Sequence, residues 1–139
     1  MSLTTSDKIE PIAPEHITAA RGVAAGARRR LVDALEERLA LGPAEFMARL
    51  GATLRLPGLQ MNAMRRAAPA FDILPFSECS QRGCVLVRNE HGDAVLVTDD
   101  PFQTELQAWA DERIQLPFSW GLAHRGDLVA FLASHEEML

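Results

Sequence analysis

Arg28-Arg29-Arg30, the thiols of Cys79 and Cys84, four histidines and the adjacent carboxylates Asp99-Asp100 are the groups in this chain whose types could do chemistry. Three arginines in a row offer permanent positive charge to a carboxylate or a phosphate. Cys79 and Cys84 stand in a C-x4-C spacing with no second pair to complete a zinc site, and two cysteines are too few for a disulfide framework. They read as reduced thiols, one on a turn and one just after it. His16, His91, His124 and His135 fall in an arm, a turn, a helix start and a helix end, where a histidine is exposed or capping rather than a ligand or base. Turn geometry accounts for Asp99 and helix capping for Asp100, so the pair does not call for a metal.

No catalytic residue emerges. The phosphate loop G-x-x-x-x-G-K-[ST], the dinucleotide turn G-x-G-x-x-G, the zinc helix H-E-x-x-H and the nucleophile elbow G-x-S-x-G are all missing from the sequence. Residues 1–70 hold ten Lys or Arg against seven Asp or Glu, a net of +3, while residues 71–139 hold four against twelve, a net of −8. The acidic half argues against general nucleic-acid binding, and the basic half suits an acidic partner or a phosphate. Apolar residues make up 47% and charged residues 24%, ordinary for a globular protein. No apolar run approaches the roughly 20 residues of a membrane span. The first residues lack a basic segment followed by an apolar one, which points to a cytoplasmic protein.

These groups need elements to position them. Pro11, Pro14, Gly22 and scattered charge give residues 1–26 no sustained period, and they read as a flexible N-terminal arm. From Ala27, Leu31, Leu35 and Leu39 recur at four-residue spacing, an amphipathic helix whose start carries the three arginines. Gly42-Pro43 ends it and begins a second helix that buries Phe46, Met47, Leu50 and Leu54 and stops at Pro57-Gly58. Residues 27–58 form a helical extension and residues 59–139 an α+β domain. In that domain a short helix is expected between Leu59 and Ala68, then strands at Phe71–Phe76, Cys84–Arg88 and Ala94–Thr98. A helix N-capped by Asp100, with Pro101 at its first position, runs to Arg113. A strand over Ile114–Leu122 follows, demoted to an edge by Pro117. A last helix from near His124 buries Leu128, Phe131, Leu132 and Met138; the chain stops inside it, which suggests that a larger protein was cut here. The expected fold is a small α+β two-layer sandwich: a mixed or antiparallel sheet of three to four strands covered by helices, preceded by the helical extension.

The order of Arg49-Leu50-Gly51, Leu56-Pro57, Ile73-Leu74-Pro75-Phe76, the strand at Ala94–Thr98, Asp100-Pro101-Phe102, the strand around Ile114–Trp120 and the helix at Asp127–Leu132 resembles the N-terminal domain of type II secretion ATPases and their type IV pilus relatives. The resemblance covers about residues 27–139. It implies a recruitment module without activity of its own, docked on the cytoplasmic domain of an inner-membrane assembly protein and followed by its own ATPase domain. ATP and Mg would belong to that motor domain, and this fragment would carry no cofactor. It further implies a cytoplasmic chain recruited peripherally to the inner membrane, with oligomerisation through the parent. A related group of envelope glycosyltransferases carries a similar domain. On this reading the helices from Ala27 to Leu56 are the partner face, with Arg28, Arg29, Arg30, Leu31 and Leu35 as its contacts.

Some members of the family bind cyclic di-GMP through tandem motifs that open Arg-Leu-Gly and continue with Gly-Leu. Arg49, Leu50, Gly51 and Gly58 match the opening of such a motif. Arg55 stands where an apolar residue is usual, Pro57 interrupts, the closing Gln is absent and no second copy follows. Docking is therefore the leading expectation; the alternatives are nucleotide sensing and an accessory domain of an envelope glycosyltransferase.

Overall fold

The computed structural model describes residues 9–136, so the expectation for Met138 lies outside the described residues. The chain divides into two compact units, with the boundary between Gly58 and Leu59.

Among the described residues the first unit has three helices, α1 (Pro14–Ala27), α2 (Leu31–Leu39) and α3 (Pro43–Leu54). Residues 14–27 are thus a helix where an aperiodic arm was expected. Pro14 sits in its first turn, where the missing N–H has no partner to lose. What α1 buries is Ala20 and Ala24, and it packs on α2. Side chains that small leave no hydrophobic period to read in the sequence. Each helix ends on a non-glycine residue in the left-handed region: Arg28 at φ 54°, Ala40 at φ 54° and Arg55 at φ 59°. The left-handed turn at Arg28, which sends the N–H of Arg29 back to the Ala24 carbonyl at 2.9 Å, delays α2 from the expected Ala27 to Leu31. Leu35, Phe46 and Leu50 are fully buried. Burial of this kind contributes about 1.5–3 kcal/mol for each such side chain.

In the second unit a four-stranded mixed sheet has the order β1 (Ala68–Pro69), β2 (Cys84–Arg88), β3 (Ala94–Thr98), β4 (Ser119–Leu122). Between these lie α4 (Met61–Arg66), α5 (Phe76–Arg82), α6 (Thr104–Arg113) and α7 (Arg125–Glu136). The fold is α+β with a helical N-terminal extension, as the alternation of patterns implied. β2 and β3 pair antiparallel from Cys84↔Thr98 to Arg88↔Ala94. The Asn89 side chain closes their turn by accepting the N–H groups of His91 and Asp93. β3 and β4 pair in parallel, Leu96 opposite Trp120, which requires the crossover that α6 supplies. Every residue from Cys84 to Val87 and from Ala94 to Thr98 is buried, so the central strands show no open face.

Three local expectations change. Residues 71–76 are not a strand: the N–H groups of Ile73 and Leu74 both return to the Ala70 carbonyl at 3.0 Å, and α5 starts at Phe76. A short apolar run fits a buried helical turn as well as a strand, and tertiary context chose the turn. Cys79 consequently lies within α5 rather than on a turn; it and Cys84 are buried free thiols. The strand expected over Ile114–Leu122 is confined to Ser119–Leu122, leaving Pro117 outside the ladder. Asp100 is not a helix cap, because α6 begins only at Thr104 with Gln103 as the residue before it. The Asp100 carboxylate instead accepts the N–H of Phe102 at 3.2 Å, an Asx-turn that carries the chain out of β3.

Candidate functional site on helix α3

Pro43 at the first helical position and Glu45 in the first turn favour the start of α3, and Phe46, Met47, Leu50 and Gly51 form its buried stripe. That stripe leaves Arg49 and Thr53, one turn apart, on a different face. The Thr53 hydroxyl donates to the Arg49 carbonyl at 2.7 Å and accepts the N–H of Ile12 at 2.6 Å. The Arg49 guanidinium donates through Nε to the carbonyl of Glu10 at 3.1 Å. Residues 10–12 are therefore strapped along α3, and Ile12, only 2% exposed, is buried there. Sequence reading singled out Arg49 but neither Thr53 nor residues 10–12. Ile12, an isolated apolar residue between Pro11 and Ala13-Pro14, was the only signal available.

The glycine of the Arg49-Leu50-Gly51 triplet has its own geometric reason. The N–H groups of Arg55 and Leu56 both close on the Gly51 carbonyl, folding the chain tightly over the last turn of α3. A Cβ on Gly51 would lie 2.6 Å from the Leu56 carbonyl oxygen. Gly58 is less constrained: a Cβ there would make an ordinary contact at 3.8 Å with the Met47 carbonyl. Leu50 is fully buried. Of the four motif residues, Arg49 presents a charged group at the surface, Gly58 is exposed, and Leu50 and Gly51 build the helix behind them.

The arginine run is distributed differently. Arg28 is exposed at the end of α1. Arg29 pairs with Glu37 at 3.1 Å, and Arg30 forks onto Asp33 at 2.9 and 3.0 Å. Acids of α2 itself thus answer two of the three charges. Leu31 is half-buried and Leu35 is core, so Leu35 offers no surface to a partner.

In the second unit, Arg113 forks onto Glu78 at 2.7 and 2.8 Å, joining α6 to α5 and holding the Glu78 carboxyl below its usual range. Arg82 stacks 4.6 Å over the Trp109 ring across the same two helices. Burial pushes the Cys79 thiol up to about 11 and the Cys84 thiol up to about 12, which makes both poor nucleophiles. His124 accepts the Gly126 N–H at the start of α7, a capping role, and His135 packs on Phe131 and Phe71. A cleft of about 450 Å³ has Arg82, Asp99, Arg125 and Glu136 on its walls with Leu128 and Leu132 between them. Among the described residues no three His, Cys, Asp or Glu side chains gather where a metal could sit, and no helix is long and apolar enough to cross a membrane.

No protein-family model matches this chain, and no curated protein does. A solved structure described as "Structure of MshE with cdg" is similar to it with a TM-score of 0.64, over 88% of this chain and 89% of that one. The chain has the fold of MshE. At 20% identity the likeness to MshE is one of architecture, extending over both units. It agrees with the resemblance carried by the ordered motifs from Arg49 to Leu132.

Proposed function

We propose that this chain is a non-catalytic N-terminal domain of a secretion or pilus assembly ATPase, recruiting the motor to the cytoplasmic domain of an inner-membrane assembly protein. The observation that carries the reading is the coincidence of two independent signals: the ordered motifs of the sequence and a fold shared with MshE, a pilus and secretion ATPase, over nearly the whole of both chains. ATP and Mg would act in a motor domain, and this domain would supply position rather than chemistry. Exposed Arg28, at the turn between α1 and α2, is the arginine of the run best suited to meet an acidic partner. The test is a pull-down with the cytoplasmic domain of the cognate assembly protein, for the wild type and for Arg28→Glu. Capture that Arg28→Glu weakens supports the reading; a domain that captures nothing rejects it.

A second reading is favoured by one specific observation. MshE was solved with cdg, which we read as cyclic di-GMP, and Arg49-Leu50-Gly51 of this chain puts an arginine on the surface of α3. Cyclic di-GMP binding would make the domain a sensor as well as a dock. Calorimetry decides it: binding heat that Arg49→Ala abolishes supports this reading, and no heat from the wild type rejects it.

A further inference from the structure

We propose that residues 10–12 are part of the nucleotide site, acting as a backbone strap that positions Arg49 for a phosphodiester; this rests on the cyclic di-GMP reading. A phosphodiester carries one negative charge and two oxygens that a guanidinium fork can grip with two parallel N–H bonds. A free arginine loses much rotamer freedom on making that grip, so a site that fixes the side chain beforehand binds more tightly. The strap does this. The Glu10 carbonyl takes Nε of Arg49 and leaves both Nη groups with no hydrogen-bond partner among the described residues. Thr53 completes the circuit, its hydroxyl holding the Arg49 carbonyl on one side and the Ile12 N–H on the other.

The strap is held independently of Arg49. Ile12 is 2% exposed and its N–H is tied to Thr53, so pulling the segment away would uncover an apolar side chain and break that bond. A phosphate that takes the Nη pair requires no such release. The bond geometry therefore makes the segment a support for the ligand arginine and not a plug over it.

The experiment compares cyclic di-GMP binding by calorimetry with amide hydrogen exchange at position 12 in the full chain, for wild type, Thr53→Val, Thr53→Ser and Ile12→Ala. Thr53→Val keeps the shape and loses the hydroxyl; Ile12→Ala loosens the strap without altering α3. Both should speed exchange at position 12 and weaken binding about three- to tenfold, the range expected for one side chain that must be ordered on binding. Thr53→Ser should restore both. Unchanged or tighter binding in either loosened variant overturns the strap, tighter binding meaning that the segment occludes the site. Weakening by Thr53→Val alone also overturns it, since Thr53 would then touch the ligand directly. A wild type that does not bind cyclic di-GMP takes down the nucleotide reading itself, and the strap with it.

Discussion

Gly51 and the carbonyl oxygen of Leu56 approach so closely that a methyl group on the glycine would sit 2.6 Å from that oxygen. Both sides of the contact belong to backbone: the helix supplies one and the returning chain the other. Neither can turn away as a side chain would. The Gly51→Ala variant should therefore lose about 1–3 kcal/mol, the usual cost of forcing an extra carbon into a filled space. Urea unfolding measures it, and an unchanged midpoint would mean that the chain after α3 moves freely. The triplet's glycine is thus required by the fold whether or not a nucleotide binds.

Ala40 ends α2 at φ 54°, a conformation in which a Cβ meets the following carbonyl. Ala40 is exposed and its side chain contributes no burial. Replacing it by glycine should raise stability by about 1 kcal/mol, the strain relieved exceeding the extra entropy of the unfolded chain. A higher melting temperature for Ala40→Gly is the expected result, and a lower one would show that the left-handed turn is not what ends this helix.

At the Asx-turn the Asp100 carboxylate accepts the Phe102 N–H. Loss of that bond in Asp100→Ala should cost about 1 kcal/mol. Asp100→Asn keeps an acceptor oxygen and should recover most of it in the same thermal melt. Equal losses in the two variants would mean that the charge, and not the turn, is what matters. Partner capture should survive in both.

Acid should loosen the join between α5 and α6. The Arg113 guanidinium lowers the Glu78 pKa in the folded chain, so the pair's contribution is present above the ordinary carboxyl value of 4.5 and fades as pH falls through the depressed folded value. Glu78→Gln removes that dependence. Its stability should match the wild type most closely at the lowest pH, fall behind as pH rises towards 4.5 and keep a constant gap above that value; a constant difference across the whole pH range would assign the effect to packing.

The thiols predict the opposite limb. With Cys79 raised to about 11 and Cys84 to about 12 from an ordinary 9.0, the folded chain resists their ionisation. Stability owed to their neutral forms is complete below pH 9 and declines as pH rises towards those values. At pH 8 a thiol reagent such as dithiobis-nitrobenzoate should label neither cysteine until denaturant is added. Rapid labelling of the native chain would place at least one thiol at the surface.

Elements that carry their own signals were legible in the amino-acid order. The four-residue recurrence of leucines identified the body of α2, Pro43 and the apolar spacing identified α3, and the apolar runs at Cys84–Arg88 and Ala94–Thr98 identified the central hairpin. These are local properties, set within a few residues by period, capping and turn chemistry. Arg49 could be singled out for the same reason, because its triplet is contiguous. Tertiary structure alone decided what reaches further. α1 is a helix that buries only alanines, which leave no period to read. The Asp100 side chain could serve a cap or a turn, and the path out of β3 chose the turn. The strap from Glu10 to Ile12 meets Arg49 and Thr53 across 39 and 41 positions of chain, and no spacing rule operates over that distance. Such contacts exist only after the helix has formed a surface on which a buried isoleucine can settle.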